Sequence, residues 1–136
     1  MTPVFADSFY FIALASEDDL AHKRAVIVSQ EIHRPLLTTT WVLTEVADAL
    51  SAPHQRPAFI ELMRNLNADP DVTIIPPSLD LFDAGVDLFS RRPDKYWSLT
   101  DCISFAAMGR LAITDALTAD HHFQQAGFNA LLAAER

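Results

Sequence analysis

Cysteine is nearly missing from this chain. The single residue, Cys102, allows no disulfide within it and no cysteine-rich zinc site. Basic residues are scarce as well: 10 lysines and arginines against 18 acids give a formal net charge of −8. That balance argues against a broad, sequence-blind nucleic-acid coat, which requires a basic surface. It leaves room for an enzyme that cuts nucleic acid while holding metal on its acids. No apolar run approaches the roughly 18 residues that cross a bilayer, so no membrane partner is expected. No basic start with a cleavage site marks a signal peptide, and the expected compartment is the reducing cytoplasm. Repeats, low-complexity tracts and linkers are also lacking. What is present is a chain of 136 residues, 50% hydrophobic, sufficient for one domain over residues 1–136 with a substantial core.

Short apolar runs alternate with longer stretches of helical spacing. Pro3 to Ala6 reads as a strand and Phe9 to Ala15 as a helix. Leu20, Ala21, Ala25, Ile27, Val28 and Ile32 predict a helix over Leu20 to Ile32, with Asp18 or Asp19 as its cap. Pro35 to Thr38 predicts a strand, and Thr40 to Leu50 a helix that Pro53 stops. Pro57 suits the first turn of a helix running through Phe59, Ile60, Met63 and Leu66. Val72 to Ile75, β-branched and bounded by Pro70 and Pro76, predicts a strand. Leu79, Phe82, Val86 and Phe89 fall on one face of a helix over Leu79 to Phe89. Ser98 to Leu111 is the next helix, Ala116 to Thr118 a very short strand, His122 to Ala126 a short helix ended by Gly127, and Phe128 to Leu132 a last strand or tail. This alternation predicts a parallel sheet with helices on both faces, whose ligands bind at the carboxyl ends of the strands.

The acids at those ends are therefore the informative ones. Asp7 follows the first strand in V-F-A-D-S, and Asp120 follows the short strand in A-L-T-A-D. Asp101 lies in the first turn of its helix, facing the same edge. On the Thr40 to Leu50 helix, Val42, Leu43, Val46, Ala49 and Leu50 form the apolar stripe and Glu45 borders it. Each acid also has a bland reading. Asp7 and Asp120 are placed to cap helices, Asp101 closes a capping box with Ser98, and border glutamates are common on amphipathic helices. Their joint placement is what suggests a site. Two like charges about 4 Å apart repel by ~4 kcal/mol at an effective dielectric near 20. A cluster of them protonates, splays or holds a cation. No lysine or arginine adjoins Asp7, Glu45 or Asp120 in sequence, and an all-oxygen set suits Mg²⁺ or Mn²⁺.

With V-F-A-D-S, T-T-T-W-V-L-T-E, S-L-T-D-C-I-S-F-A-A-M and I-T-D-A-L-T-A-D-H-H-F-Q-Q-A-G-F, the chain resembles the PIN domain, and more narrowly the VapC-type toxins, from about Pro3 to Leu132. The resemblance implies a three-layer α/β/α PIN-like fold with a short, mostly parallel central sheet. It implies a Mg²⁺-dependent endoribonuclease, Mn²⁺ being an alternative ion, with Asp7, Glu45, Asp101 and Asp120 as metal-binding catalytic residues. Ser8 and Thr118 match hydroxyl positions that line such sites. Asp115 matches a position that is often acidic but stands before the strand. The implied reaction is hydrolysis of RNA by metal-activated water, leaving a 3′-hydroxyl and a 5′-phosphate. The implied partners are RNA, a cognate VapB-like antitoxin of a type II toxin-antitoxin pair, and a second copy in a homodimer.

Other residues carry weaker signals. Arg91, Arg92 and Lys95 are candidates for RNA contact, or a solvated loop. Tyr96 and Trp97 suit base stacking, or packing. His121 and His122 are adjacent, and neighbours on a helix are expected to point apart, so one of them is a candidate to lie near substrate and neither is expected to bind metal. Cys102 is expected to be an inert buried thiol. Two alternatives to the nuclease stand. One is a catalytically weak PIN-like module whose acidic groove holds a basic partner. The other is a phosphotransfer protein on a similar sheet, against which Asp7-Ser8-Phe9 lacks the D-x-D of haloacid-dehalogenase-like phosphatases.

Overall fold

The strands carry the fewest residues and fix everything else. In the computed structural model, which describes residues 1–133, β1 (Val4–Ala6) is buried throughout. A run with no polar face is what a strand covered on both sides requires. Around it the sheet has the order β3-β2-β1-β4-β5, with β2 at Leu36–Thr39, β3 at Val72–Ile75, β4 at Asp115–Leu117 and β5 at Asn129–Ala130. Every pairing is parallel. The helices are α1 (Ser8–Ala15), α2 (His22–Glu31), α3 (Thr40–Ala49), α4 (Arg56–Ala68), α5 (Leu79–Arg91), α6 (Leu99–Arg110) and α7 (His121–Gln125).

The chain steps from β1 to β2 to β3 in one direction, then returns to place β4 on the other side of β1. Right-handed crossovers put α1 to α4 over one face and α5 to α7 over the other. The packing agrees: α1 touches α2, α3 and α4, α5 lies along α6, and α6 meets α7. The expected α/β/α layering is therefore present, with a wholly parallel sheet. Phe5, Phe11, Val42, Val46, Met108, Leu117 and Phe123 fill the core between the layers. Phe105 is held edge-on by Trp97 at 5.1 Å and by Phe123 at 4.9 Å.

Two expectations fail here. Helix α2 begins at His22, not Leu20, and its N-cap position is Ala21, with no side-chain cap. Asp19 instead turns the preceding loop, accepting the Ala21 N–H at 2.8 Å, and Leu20 is left fully exposed. On α5 the expected face is not the buried one. Leu79, Val86 and Phe89 are exposed, while Leu81 and Gly85 are buried. The reason is Gly85. A Cβ there would lie 2.3 Å from Ile103 Cγ1 and 3.1 Å from its backbone, so the bare glycine lets α6 approach on that side.

Candidate active site

The strand order reverses between β1 and β4, and parallel sheets bind ligands in the crevice at such a point. Ala6 pairs with Leu117, so Asp7 and Thr118 leave the two strands side by side. The Thr118 hydroxyl donates to Asp7 Oδ2 at 2.9 Å. Asp7 occupies the N-cap position of α1, but its carboxylate caps nothing there. It turns into the crevice instead, toward Thr118 and Ser8. The Ser8 hydroxyl lies 3.5 Å from Asp7 Oδ1 and donates to Glu45 Oε1. Glu45 comes from α3, whose start is fixed by Thr39: that hydroxyl accepts the Val42 N–H at 3.2 Å. Ser8 thus bridges the acids of two helices, and Glu45 is half-buried as its border position suggested.

Asp101 enters from α6. It closes the capping box: Ser98 Oγ accepts the Asp101 N–H at 3.0 Å, and Asp101 Oδ2 accepts the Ser98 N–H at 3.2 Å. The same Oδ2 lies 3.1 Å from His122 Nδ1. Asp120 caps α7, accepting the His122 N–H at 2.9 Å, and is itself steadied by Thr118, whose Oγ1 accepts the Asp120 N–H at 3.0 Å. Capping and site placement coincide for Asp101 and Asp120, because both helices begin at the sheet edge that carries the crevice.

The electrostatics tie these acids together. Burial pushes the Asp7 carboxyl up to about 7, with the charges of Asp101 and Glu45 adding to the rise and the Thr118 and Ser8 hydrogen bonds opposing it. Burial also raises Asp101, reinforced by the charge of Asp120 and opposed by the Ser98 N–H and by His122. Among the described residues, the ion pairs made by lysine and arginine go elsewhere: Arg34 to Asp115, Arg91 to Asp87, Arg92 and Lys95 to Asp94, and Arg110 to Asp80. Asp115 is thereby held by Arg34 and Asn129 at the opposite end of β4, away from the crevice.

The histidines depart from expectation. They do not diverge: their ring centroids are 4.4 Å apart. Ligand atoms of Asp120, His121 and His122 all lie within 4.8 Å of one another. His122, not expected as a metal ligand, stands against the acids Asp101 and Asp120. No sequence signal marks it, because the direction of its ring depends on how α7 packs against α6. Cys102 is fully buried, and burial together with the Asp101 charge raises its thiol, so it is unsuited to attack. Trp97 is packing, its indole donating to Gln125 at 3.0 Å, whereas Tyr96 is 94% exposed.

No family model matches the sequence, and no curated protein matches it. Among solved structures the chain is similar to VapC20 of Mycobacterium tuberculosis, described as a sarcin-ricin loop cleaving toxin. The TM-score is 0.84 at 23% identity, over 92% of this chain and 95% of that one. No helix among the described residues is long and apolar enough to cross a membrane. At that level of identity the likeness is one of fold, and the chain has the PIN-like α/β fold of that toxin.

Proposed function

We propose that this protein is a Mg²⁺-dependent endoribonuclease, the toxin of a type II toxin-antitoxin pair, and that Asp7, Glu45, Asp101 and Asp120 form its catalytic, metal-binding centre. The observation that carries the reading is geometric: at the reversal point of a parallel sheet, Ser8 links Asp7 to Glu45, Thr118 links Asp7 to the Asp120 N–H, and His122 links Asp120 to Asp101, with no lysine or arginine partner among the described residues. The residues fit a hard divalent ion. A carboxyl that is buried and raised to about 7 by burial and neighbouring acids is stabilised as an anion by a cation beside it. His122, and behind it His121, add nitrogen donors that Mn²⁺ accepts more readily than Mg²⁺.

When bound, the ion supplies an acidified water and neutralises charge developing on the phosphodiester. The protein's own part is positioning. Thr118 fixes one oxygen of Asp7, Ser8 fixes Glu45, and the capping box fixes Asp101 against α6. With Asp120 held by the His122 N–H at the start of α7, each carboxylate is restrained before substrate arrives, so little reorganisation accompanies the reaction. The likeness of fold to a toxin that cleaves the sarcin-ricin loop supports RNA as the substrate class. A VapB-like antitoxin and a homodimer belong to the same reading.

The test is RNA cleavage in Mg²⁺, in EDTA, and by Asp7→Asn and Asp101→Asn. We expect loss of at least 100-fold with EDTA and in either variant, in line with the removal of one electrostatic element of an active site. Equal cleavage by wild type and both variants removes the mechanism. The net charge of −8 favours one competing reading, a binding module whose acids hold a basic partner. Co-purification of a small basic protein, with no nuclease activity after its removal, selects it.

A further inference from the structure

A cavity of about 320 Å³ opens beside the acids, lined by Asp94, Lys95, Tyr96, His121, His122 and Gln125. That volume lies in the range of small-ligand sites. Its wall is continuous with the catalytic centre, because His122 Nδ1 lies 3.1 Å from Asp101 and 3.5 Å from Asp120. A phosphate held at the acids therefore brings an adjoining nucleoside to the cavity mouth.

The walls have a definite chemistry. Tyr96 is 94% exposed, a large aromatic ring left in water at the edge of the site. The next residue, Trp97, is buried with Phe105 against its edge and the Arg92 guanidinium 5.1 Å from its centroid, so the loop that presents Tyr96 is anchored. The His121 and His122 rings supply further π-faces. Two of the lining side chains supply amine and amide donors. The Trp97 indole is only a donor, so the Gln125 atom 3.0 Å away is its amide oxygen, and the amide NH₂ remains to donate. Both oxygens of Asp94 are engaged by Arg92 at 3.0 Å, whereas the Lys95 ammonium stands 4.0 Å from the same carboxylate. Lys95 pairs with Asp94 only at that long distance and has three N–H donors, so Lys95 and Gln125 both present donors to whatever enters. Guanine offers the acceptors O6 and N7 side by side, whereas adenine pairs N7 with an amino donor.

We propose that this cavity is a nucleobase subsite: Tyr96 stacks on the base flanking the scissile phosphate, and Lys95 and Gln125 select guanine at that position. The inference rests on the ribonuclease reading and narrows it. It also separates Lys95 from Arg91 and Arg92, whose guanidiniums are committed to Asp87 and Asp94.

The experiment is digestion of a random-sequence RNA in Mg²⁺ by wild type, Tyr96→Ala, Lys95→Ala and Gln125→Ala, with the cut ends sequenced. Calorimetric binding of guanosine 5′-monophosphate, adenosine 5′-monophosphate and ribose 5-phosphate gives a readout independent of turnover. Wild type is expected to favour guanine at one position beside the cut and to bind the guanine nucleotide about tenfold tighter than ribose 5-phosphate, in keeping with one stacked base. Tyr96→Ala is expected to lose most of that difference. Lys95→Ala and Gln125→Ala are expected to lose guanine-over-adenine preference while keeping the stacking gain. An unchanged base preference in Tyr96→Ala, or no preference in wild type, overturns the subsite and leaves the nuclease standing. Absence of any RNA cleavage by wild type overturns the nuclease reading, and the subsite with it.

Discussion

At the scale of single residues, Asp7 is where the proposed metal centre and stability oppose each other. A carboxylate is placed where it is almost wholly buried, beside two others, with hydrogen bonds that offset only part of the cost. Its carboxyl titrates at about 7 in the folded chain against 3.8 for the free group. The folded protein therefore holds that proton more tightly than the unfolded one. The resulting stabilisation is complete below pH 3.8 and is lost as the pH rises through about 7. The difference corresponds to roughly 4 kcal/mol. Asp7→Asn keeps an oxygen for the Thr118 hydroxyl and removes the charge. In EDTA at pH 8 the variant is expected to be more stable than wild type by a few kcal/mol, seen as a higher midpoint in urea, and the gap is expected to close near pH 4. A variant no more stable than wild type at pH 8 contradicts the account of the crevice.

At the scale of elements, the pair α5–α6 shows how the sequence informs and misleads. The stretch L-D-L-F-D-A-G-V-D-L-F carries two apolar stripes about a third of a turn apart, one through Leu79, Phe82, Val86 and Phe89, the other through Leu81, Gly85 and Leu88. Counting side chains favours the first. Packing chose the second, since a residue without a side chain permits the closest approach of a neighbouring helix. Gly85→Ala forces its methyl into Ile103 and is expected to cost about 1–3 kcal/mol of stability, as overpacked cores do. A thermal midpoint equal to that of wild type would place α5 on α6 differently. The strands were legible for the converse reason. Val72 to Ile75 lies between prolines and was read to the residue, because β-branching and chain breakers act locally. The start of α2 was not, since no side chain caps it. Asp101 was legible as a cap, and the capping box is present, with the same carboxylate reaching His122 at the crevice. His122 was hidden because its position depends on how a five-residue helix turns against α6, which is a matter of tertiary packing.

At the scale of the whole molecule, the order β3-β2-β1-β4-β5 gathers residues from positions 7, 45, 101 and 120 to one crevice. For Asp7 and Asp120 that placement was readable because they stand just after strands and a parallel sheet sends its strand ends to one edge, whereas Asp101 was readable from its helix start and Glu45 only from the border of an apolar stripe. It also concentrates negative charge in a chain whose formal balance is already −8. Cations should therefore stabilise the fold in two distinguishable ways. Any salt screens the general repulsion, over about 10 Å at 0.1 M ionic strength. An ion seated in the crevice binds the folded state alone, which adds about 2.7 kcal/mol at a hundredfold excess over its dissociation constant. Melting in Mg²⁺ is thus expected to exceed melting in NaCl of equal ionic strength by several degrees, with the excess growing logarithmically once the site is saturated. Asp7→Asn is expected to keep the response to NaCl and lose most of the Mg²⁺ excess, because screening does not depend on any one carboxylate whereas coordination does. Should Mg²⁺ and NaCl raise the midpoint equally in wild type, the crevice acids act only as part of a diffuse surface charge, and the divalent centre they are assigned fails on thermodynamic grounds independent of any RNA.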